Sequence, residues 1–264
     1  TNAKYYDSAI YKLKFDDKAK DTINSWVYNN TDGMIDKIID EIPANAAMYL
    51  INAIAFDSDW EKIYEEDSVQ DGYFTDLNGD TKTVSMMNSE EYRYIDDGKA
   101  TGFIKPYAGG KFSFVALLPN EGTSVDDYIA SMTGDGFVEM VRDAEGGTVV
   151  TTMPKFKSEY GLVMNDALNN LGIKQAFDAD EADFTGMARS PRGNIFINKV
   201  IHKTFIEVNE RGTKASAVTA VEMTDECVSE EPKYVILDRP FVYAIVDNDT
   251  NLPIFIGTVL EVEQ

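Results

Sequence analysis

The stretch Glu207-Val-Asn-Glu-Arg-Gly-Thr-Lys-Ala-Ser-Ala-Val-Thr-Ala-Val-Glu-Met223 constrains this chain most, because it reads as a strand composed for a sheet that it need not occupy at rest. Taken with period two, Thr213, Ala215, Ala217, Thr219, Val221 and Met223 fall on one face, small or apolar. Lys214, Ser216, Val218, Ala220 and Glu222 fall on the other, and both charges of the run lie there. Such a segment inserts with its charges pointing outward. Gly212 stands before it and is free to take backbone angles other residues avoid, so a hinge there is cheap. After it, Thr224-Asp-Glu-Cys-Val-Ser-Glu-Glu-Pro232 is polar, acidic and closed by proline, which predicts an exposed loop.

A hinge, a latent strand and an exposed tip in succession resemble the serpin family, and further motifs carry the resemblance along the chain. Glu207-Val-Asn-Glu-Arg-Gly-Thr213 is similar to the family's proximal hinge, Leu237-Asp-Arg-Pro-Phe-Val-Tyr243 to the stretch after its reactive loop, and Leu252-Pro-Ile-Phe-Ile-Gly-Thr-Val259 to its last strand. Ile23-Asn-Ser-Trp-Val27 with Asn30-Thr-Asp-Gly-Met-Ile35, Leu50-Ile-Asn-Ala-Ile-Ala-Phe56 leading to Trp60, and Met153-Pro-Lys-Phe156 also match, all in family order.

The resemblance implies an inhibitor of serine proteases, with cysteine proteases as a second target class. A protease attacks the reactive loop at about 210–232 and forms an acyl-enzyme. The cut loop then inserts into the large sheet and drags the protease along before deacylation. The alternative is a non-inhibitory binding protein of the same fold, and a silent proteolytic fragment is compatible with either. The implied hinge residues are Glu210, Gly212, Thr213, Ala215, Ala217 and Thr219. Family spacing from Gly212 puts the scissile bond at Glu226-Cys227, within a window from Met223 to Ser229. A glutamate before the cut suits a protease with a basic pocket, whereas cleavage at Cys227-Val228 suits elastase-like or chymotrypsin-like enzymes. Lys155 and Glu210 match an ion pair where the loop first enters the sheet, with Trp60 beside them. His202 matches a histidine that hydrogen-bonds an asparagine beneath the sheet's opening point, here Asn52.

The energetics of such a trap follow from the backbone alone. A strand of a dozen or so residues adds about one ladder bond per residue, each worth roughly 0.5–1.5 kcal/mol net, so insertion yields on the order of 10 kcal/mol. Insertion must outrun deacylation, and a bulky or proline residue in the hinge clashes or removes a ladder donor. Thr213, Ala215, Ala217 and Thr219 satisfy that requirement, and no proline lies between Gly212 and Glu231.

The charge balance narrows the partners. With 24 basic against 46 acidic residues the net charge is −22, and no Lys/Arg cluster interleaved with aromatics occurs, which argues against nucleic acid and heparin-type polyanions. No apolar run approaches a membrane span. Cys227 is the sole cysteine, so no intrachain disulfide forms, and its position favours an inert exposed thiol. The only histidine, His202, has no Ser or Cys partner in a nucleophile motif, which argues against a hydrolytic enzyme. Asp76-Leu-Asn-Gly-Asp80, Asp178-Ala-Asp180 and Asp247-Asn-Asp249 lack the offsets of a calcium loop and read as solvated turns. No metal or cofactor motif is present.

The predicted class is α+β in a single partial domain over 1–264: a serpin fold with a large central mixed sheet, smaller antiparallel sheets and surrounding helices. Relative to the family the N-terminal portion is absent, so an exposed apolar sheet face is expected, with the missing segment present as another chain or lost by proteolysis. An extracellular setting is expected from the resemblance. Asp16 to Ile39 reads as a helix, with Ala19, Ile23, Trp26 and Val27 on one face. Ala46 to Phe56 reads as a strand buried on both faces. Tyr73–Ile95 and Gly102–Leu118 alternate as antiparallel strands about a Gly109-Gly110 hairpin. Val125–Val141 and Leu162–Leu171 read as helices, and Thr148–Tyr160 and Asn194–Asn209 as strands.

Overall fold

The computed structural model describes residues 8–43, 46–191, 193–213 and 231–262. Helix α1 (Asp17–Asn30) is followed by strands β1 (Tyr49–Ala55), β2 (Ser58–Asp59), β3 (Val69–Thr75), β4 (Thr81–Asp96), β5 (Ala100–Pro106) and β6 (Phe112–Pro119). Helices α2 (Val125–Ser131) and α3 (Gly134–Arg142) lead to β7 (Glu145–Pro154), β8 (Phe156–Val163) and the short α4 (Asn165–Asn170). Strands β9 (Lys199–Val208), β10 (Gly212–Thr213), β11 (Lys233–Ile236), β12 (Phe241–Asp247) and β13 (Pro253–Val259) follow. The chain forms two compact units, Thr1–Ala55 with Glu159–Phe205 and Phe56–Ser158 with Ile206–Gln264.

In the first unit α1 starts where Asp16 Oδ1 accepts from the Ala19 amide at 3.1 Å. Ala19, Ile23 and Val27, four residues apart, are its buried stripe. Ile23 packs with Ile39 and Ile201, and Val27 with Ile35 and Phe205, over the Tyr49, Ile51 and Ala53 face of β1. The helix ends at Asn30 and does not reach Ile39, because Asp32 (φ 48°) and Gly33 (φ 74°) reverse the chain. Ile35 and Ile39 remain buried on a non-helical return stretch. Asn24 secures that return: its side chain donates to Ile39 O at 2.9 Å and accepts from the Ile38 and Ile39 amides at 2.9 and 3.1 Å.

Strand β1 pairs in parallel with β9, from Tyr49 opposite Lys199 to Ala55 opposite Phe205. It is not buried on both faces as its composition suggests, since Leu50 is 41% exposed and Asn52 is also exposed. Only the face beneath α1 is covered, because alternate residues of a strand point to opposite sides. Leu162 and Val163 belong to the end of β8, and helix α4 begins only at Asn165. The helix expected from Leu162 thus starts three residues later; α4 stops at Asn170, with Leu171 as its C-cap before Gly172 at φ 97°.

The second unit is built on an eight-stranded mixed sheet in the order β11-β7-β4-β5-β6-β12-β13, with β3 also on β4. Its centre is continuously apolar: Phe114, Val115, Ala116 and Leu117 of β6 and Val242, Ala244, Ile245 and Val246 of β12 are buried. On one side of it Val125 and Tyr128 of α2 and Phe137 and Val141 of α3 close the core. These helices are two rather than the single Val125–Val141 helix the apolar spacing suggests, because Met132 takes extended angles and Thr133 caps α3 by accepting from the Gly136 amide at 3.1 Å. The Gly109-Gly110 turn joins β5 to β6, both glycines at positive φ.

The acidic turns use their carboxylates on their own backbone. Asp76 accepts from the Asn78 and Asp80 amides, Asp178 from those of Asp180 and Glu181, and Asp247 from the Thr250 amide and hydroxyl.

Candidate functional site: the hinge and its anchor

Strand β9 ends at Val208, and the next residues fold it back. The Asn209 side chain accepts from the Arg211 amide at 2.9 Å and from the Gly212 amide at 3.3 Å, while its own amide donates to Gly212 O at 2.9 Å. This tight turn delivers Gly212 and Thr213 as β10, which pairs antiparallel with β9 (Thr213 opposite Val208) and with β2 (Gly212 opposite Asp59, Thr213 opposite Ser58). Two residues of strand are thus held on both edges.

Glycine is required at 212, but not for the reason its hinge role suggests. Its φ lies outside the positive range; instead, a Cβ would stand 2.2 Å from the Ser58 carbonyl oxygen and 2.7 Å from Asp59 Cα. Close backbone approach, rather than unusual angles, excludes every other residue. Thr213 is fully buried, and its Oγ1 lies 2.6 Å from the Tyr107 hydroxyl. Burial pushes the pKa of that phenol far above its usual range, which keeps it protonated.

The segment after β2 grips the turn by its main chain. The Trp60 amide donates to Arg211 O at 2.8 Å, the Trp60 indole to Asn209 O at 2.9 Å, and the Tyr64 amide to Glu210 O at 2.8 Å. Trp60 stacks on Tyr107, ring centroids 4.4 Å apart and ring planes nearly parallel. Outside this cluster Lys155 Nζ contacts Glu210 Oε2 at 2.6 Å, with both side chains about one-third exposed. The hydrogen bond from Lys155 holds the Glu210 carboxyl below its usual pKa. A second pair, Lys157 with Glu207 at 3.4 Å, lies nearby in sequence.

Of the residues singled out from the sequence, Trp60, Lys155, Glu210, Gly212 and Thr213 therefore come together. Asn52 and His202 are register partners on β1 and β9 in the first unit, which puts both on one face of the pair. Ala215, Ala217, Thr219, Glu226 and Cys227 lie outside the described residues. Sequence reasoning missed Tyr107, the receiving strand Ser58–Asp59 and the turn at Asn209. Only the last had a local signal, an asparagine followed three residues later by glycine.

A second buried group lies beneath the anchor. Lys105 Nζ is 2.7 Å from Glu91 Oε1, with side chains 1% and 7% exposed, and stands 4.4 Å from the Tyr64 ring centroid and 5.4 Å from that of Trp60.

Comparison with known proteins places these features in a wider group. The family model described as Serpin (serine protease inhibitor) matches residues 1–262. The chain is 30% identical to Serpin B6 of Pongo abelii over 266 residues, covering 96% of this chain and 69% of that protein. It is 33% identical to leukocyte elastase inhibitor A of Mus musculus over 258 residues, covering 94% and 67%. Among solved structures, a thermophilic serpin, tengpin, in the native state superposes with a TM-score of 0.91 at 49% identity, covering 99% of this chain and 67% of the other.

Proposed function

Because this chain belongs to the serpin family, we propose that it is an inhibitor of serine proteases that acts once, by cleavage within Met223–Ser229 and insertion of the preceding segment as a new strand. One observation carries this reading: Thr213 is already enclosed between Val208 and Ser58 as the second residue of an antiparallel strand. A strand started this way needs only to lengthen. Thr213 shares its period-two face with Ala215, Ala217 and Thr219, so the side chains that would follow it inward are small. Continuing alongside β9, the new strand would have to part β1 from β9, passing the Asn52 and His202 register position.

The free energy comes from the ladder, on the order of 10 kcal/mol for a dozen added bonds at roughly 0.5–1.5 kcal/mol each. In this reading Glu210 and Lys155 steady the turn, Gly212 allows β10 to approach β2, and residues Met223 to Ser229 set which protease is caught. A glutamate at 226 favours an enzyme with a cationic primary pocket.

The test is incubation with a panel of proteases of differing primary specificity, followed by denaturing electrophoresis. A denaturant-resistant covalent complex is expected with at least one serine protease, and mass spectrometry of the released peptide places the bond between Met223 and Ser229. Digestion of the loop by every protease without any such complex would refute the reading and favour a binding protein of the same fold.

A further inference from the structure

The Lys105–Glu91 pair is an ionic contact buried in a largely apolar sheet core, and its surroundings give it a role. Lys105 lies on β5 and Glu91 on β4, with Nζ 2.7 Å from Oε1. Glu91 Oε1 also accepts from Ser89 Oγ at 2.6 Å, and Ser89 Oγ lies 3.0 Å from Thr151 Oγ1 on β7, whose hydroxyl donates to Ser89 O at 3.2 Å. The carboxylate is thereby fixed to three neighbouring strands. The other side of the ammonium faces the Tyr64 and Trp60 rings.

These two aromatic residues are the ones whose amides hold Glu210 and Arg211. The two residues after Lys105 reach the same segment: Pro106 O accepts from the Glu61 amide at 3.0 Å, Tyr107, just past β5, forms a bridge with Trp60, and the Tyr107 hydroxyl meets Thr213. The segment from Trp60 to Tyr64 is therefore held by the hinge through its backbone and by a buried charge through its rings. Two apolar side chains of similar volume would fill this space, but they would not fix the rings against a point charge.

We propose that Lys105 and Glu91 are positioning residues for the hinge: the buried pair sets the Trp60 and Tyr64 rings, and through them the amides that retain Asn209 to Arg211 before the reactive segment moves. This assignment rests on reading residues 209–213 as the place where that segment enters the sheet. It makes release of the hinge dependent on side chains that touch neither the loop nor the protease.

The test compares the parent with the double variant Glu91→Met/Lys105→Met, which removes both charges and leaves nothing ionised without a partner. Hydrogen exchange of the Trp60 and Tyr64 amides is expected to quicken by about tenfold, while amides of β6 and β12 keep their protection. The melting temperature stays near that of the parent, which separates positioning from bulk stability. Should the double variant not fold, Glu91→Gln retains shape and acceptor, and it is expected to quicken the same two amides in the same direction. Unchanged protection of Trp60 and Tyr64 in either folded variant overturns the proposal. In the protease assay the double variant is expected to change the fraction of encounters ending in covalent complex. If the parent traps no protease at all, the inhibitory reading fails by itself, and the exchange measurement still decides the positioning role.

Discussion

At residue 212 the geometry leaves room for a hydrogen and nothing larger. Gly212→Ala would place a methyl group 2.2 Å from the Ser58 carbonyl oxygen, so the two-residue ladder must open. Overpacking of this kind costs about 1–3 kcal/mol, measurable as a drop in denaturation midpoint together with faster exchange of the Thr213 amide. At the neighbouring position, Thr213→Val leaves the buried Tyr107 hydroxyl without its partner and is expected to cost about 1–3 kcal/mol. Tyr107→Phe added to it should recover part of that loss, and strict additivity of the two changes would show that the hydroxyls do not interact. The Lys155–Glu210 pair is partly exposed, so solvent screening limits it to roughly 0.2–1 kcal/mol. Because the Glu210 carboxyl is held below its ordinary value, its contribution is present above that ordinary value, about 4.3, and fades as pH falls through the lower folded value. The stabilities of the parent and of Glu210→Gln should therefore differ at pH 7 and converge once the pH has fallen below that lowered folded value. Glu210→Lys replaces attraction with repulsion and is expected to lower the monomer fraction after warming, as read by size-exclusion chromatography.

Among elements, the strands of the second unit were the most readable in the sequence, and the helix limits the least. The β5–β6 hairpin is written locally, in two glycines flanked by apolar alternation, and it forms where expected. Apolar spacing gave too long a helix at Asp16 to Ile39, because Ile35 and Ile39 continue the buried set after the backbone has left the helix. What ends the helix is the Thr31-Asp-Gly33 reversal, and what fixes the return stretch is one side chain, Asn24. Asn24→Ala removes three hydrogen bonds to Ile38 and Ile39 and is expected to cost about 1–3 kcal/mol, with local loss of amide protection there. The contacts that make the hinge anchor were largely illegible. Tyr107 and Thr213 lie far apart in the chain, as do Glu91 and Lys105 from Trp60, and only the folded sheet brings them together. Glu210 and Lys155 were identified by resemblance to a family, which supplied a long-range pairing that no local pattern contains.

For the molecule as a whole, the net charge of −22 sets a background of self-repulsion that dissolved ions reduce. Raising salt from about 0.01 M to about 0.15 M shortens the screening length from roughly 30 Å to roughly 8 Å and should raise the melting temperature. A nick between Met223 and Ser229 should raise it further, by about 10 °C or more if the freed segment joins the sheet; an unchanged melting point would count against insertion. The anchor also carries a lesson for redesign. Every bond by which Trp60 and Tyr64 hold Asn209, Glu210 and Arg211 ends on a main-chain carbonyl oxygen, a group common to all twenty amino acids. Asn209 and Glu210 have further side-chain duties in the turn, but the hold on Arg211 is indifferent to its side chain, which leaves that position open to exchange as a tuning handle without loosening the clasp.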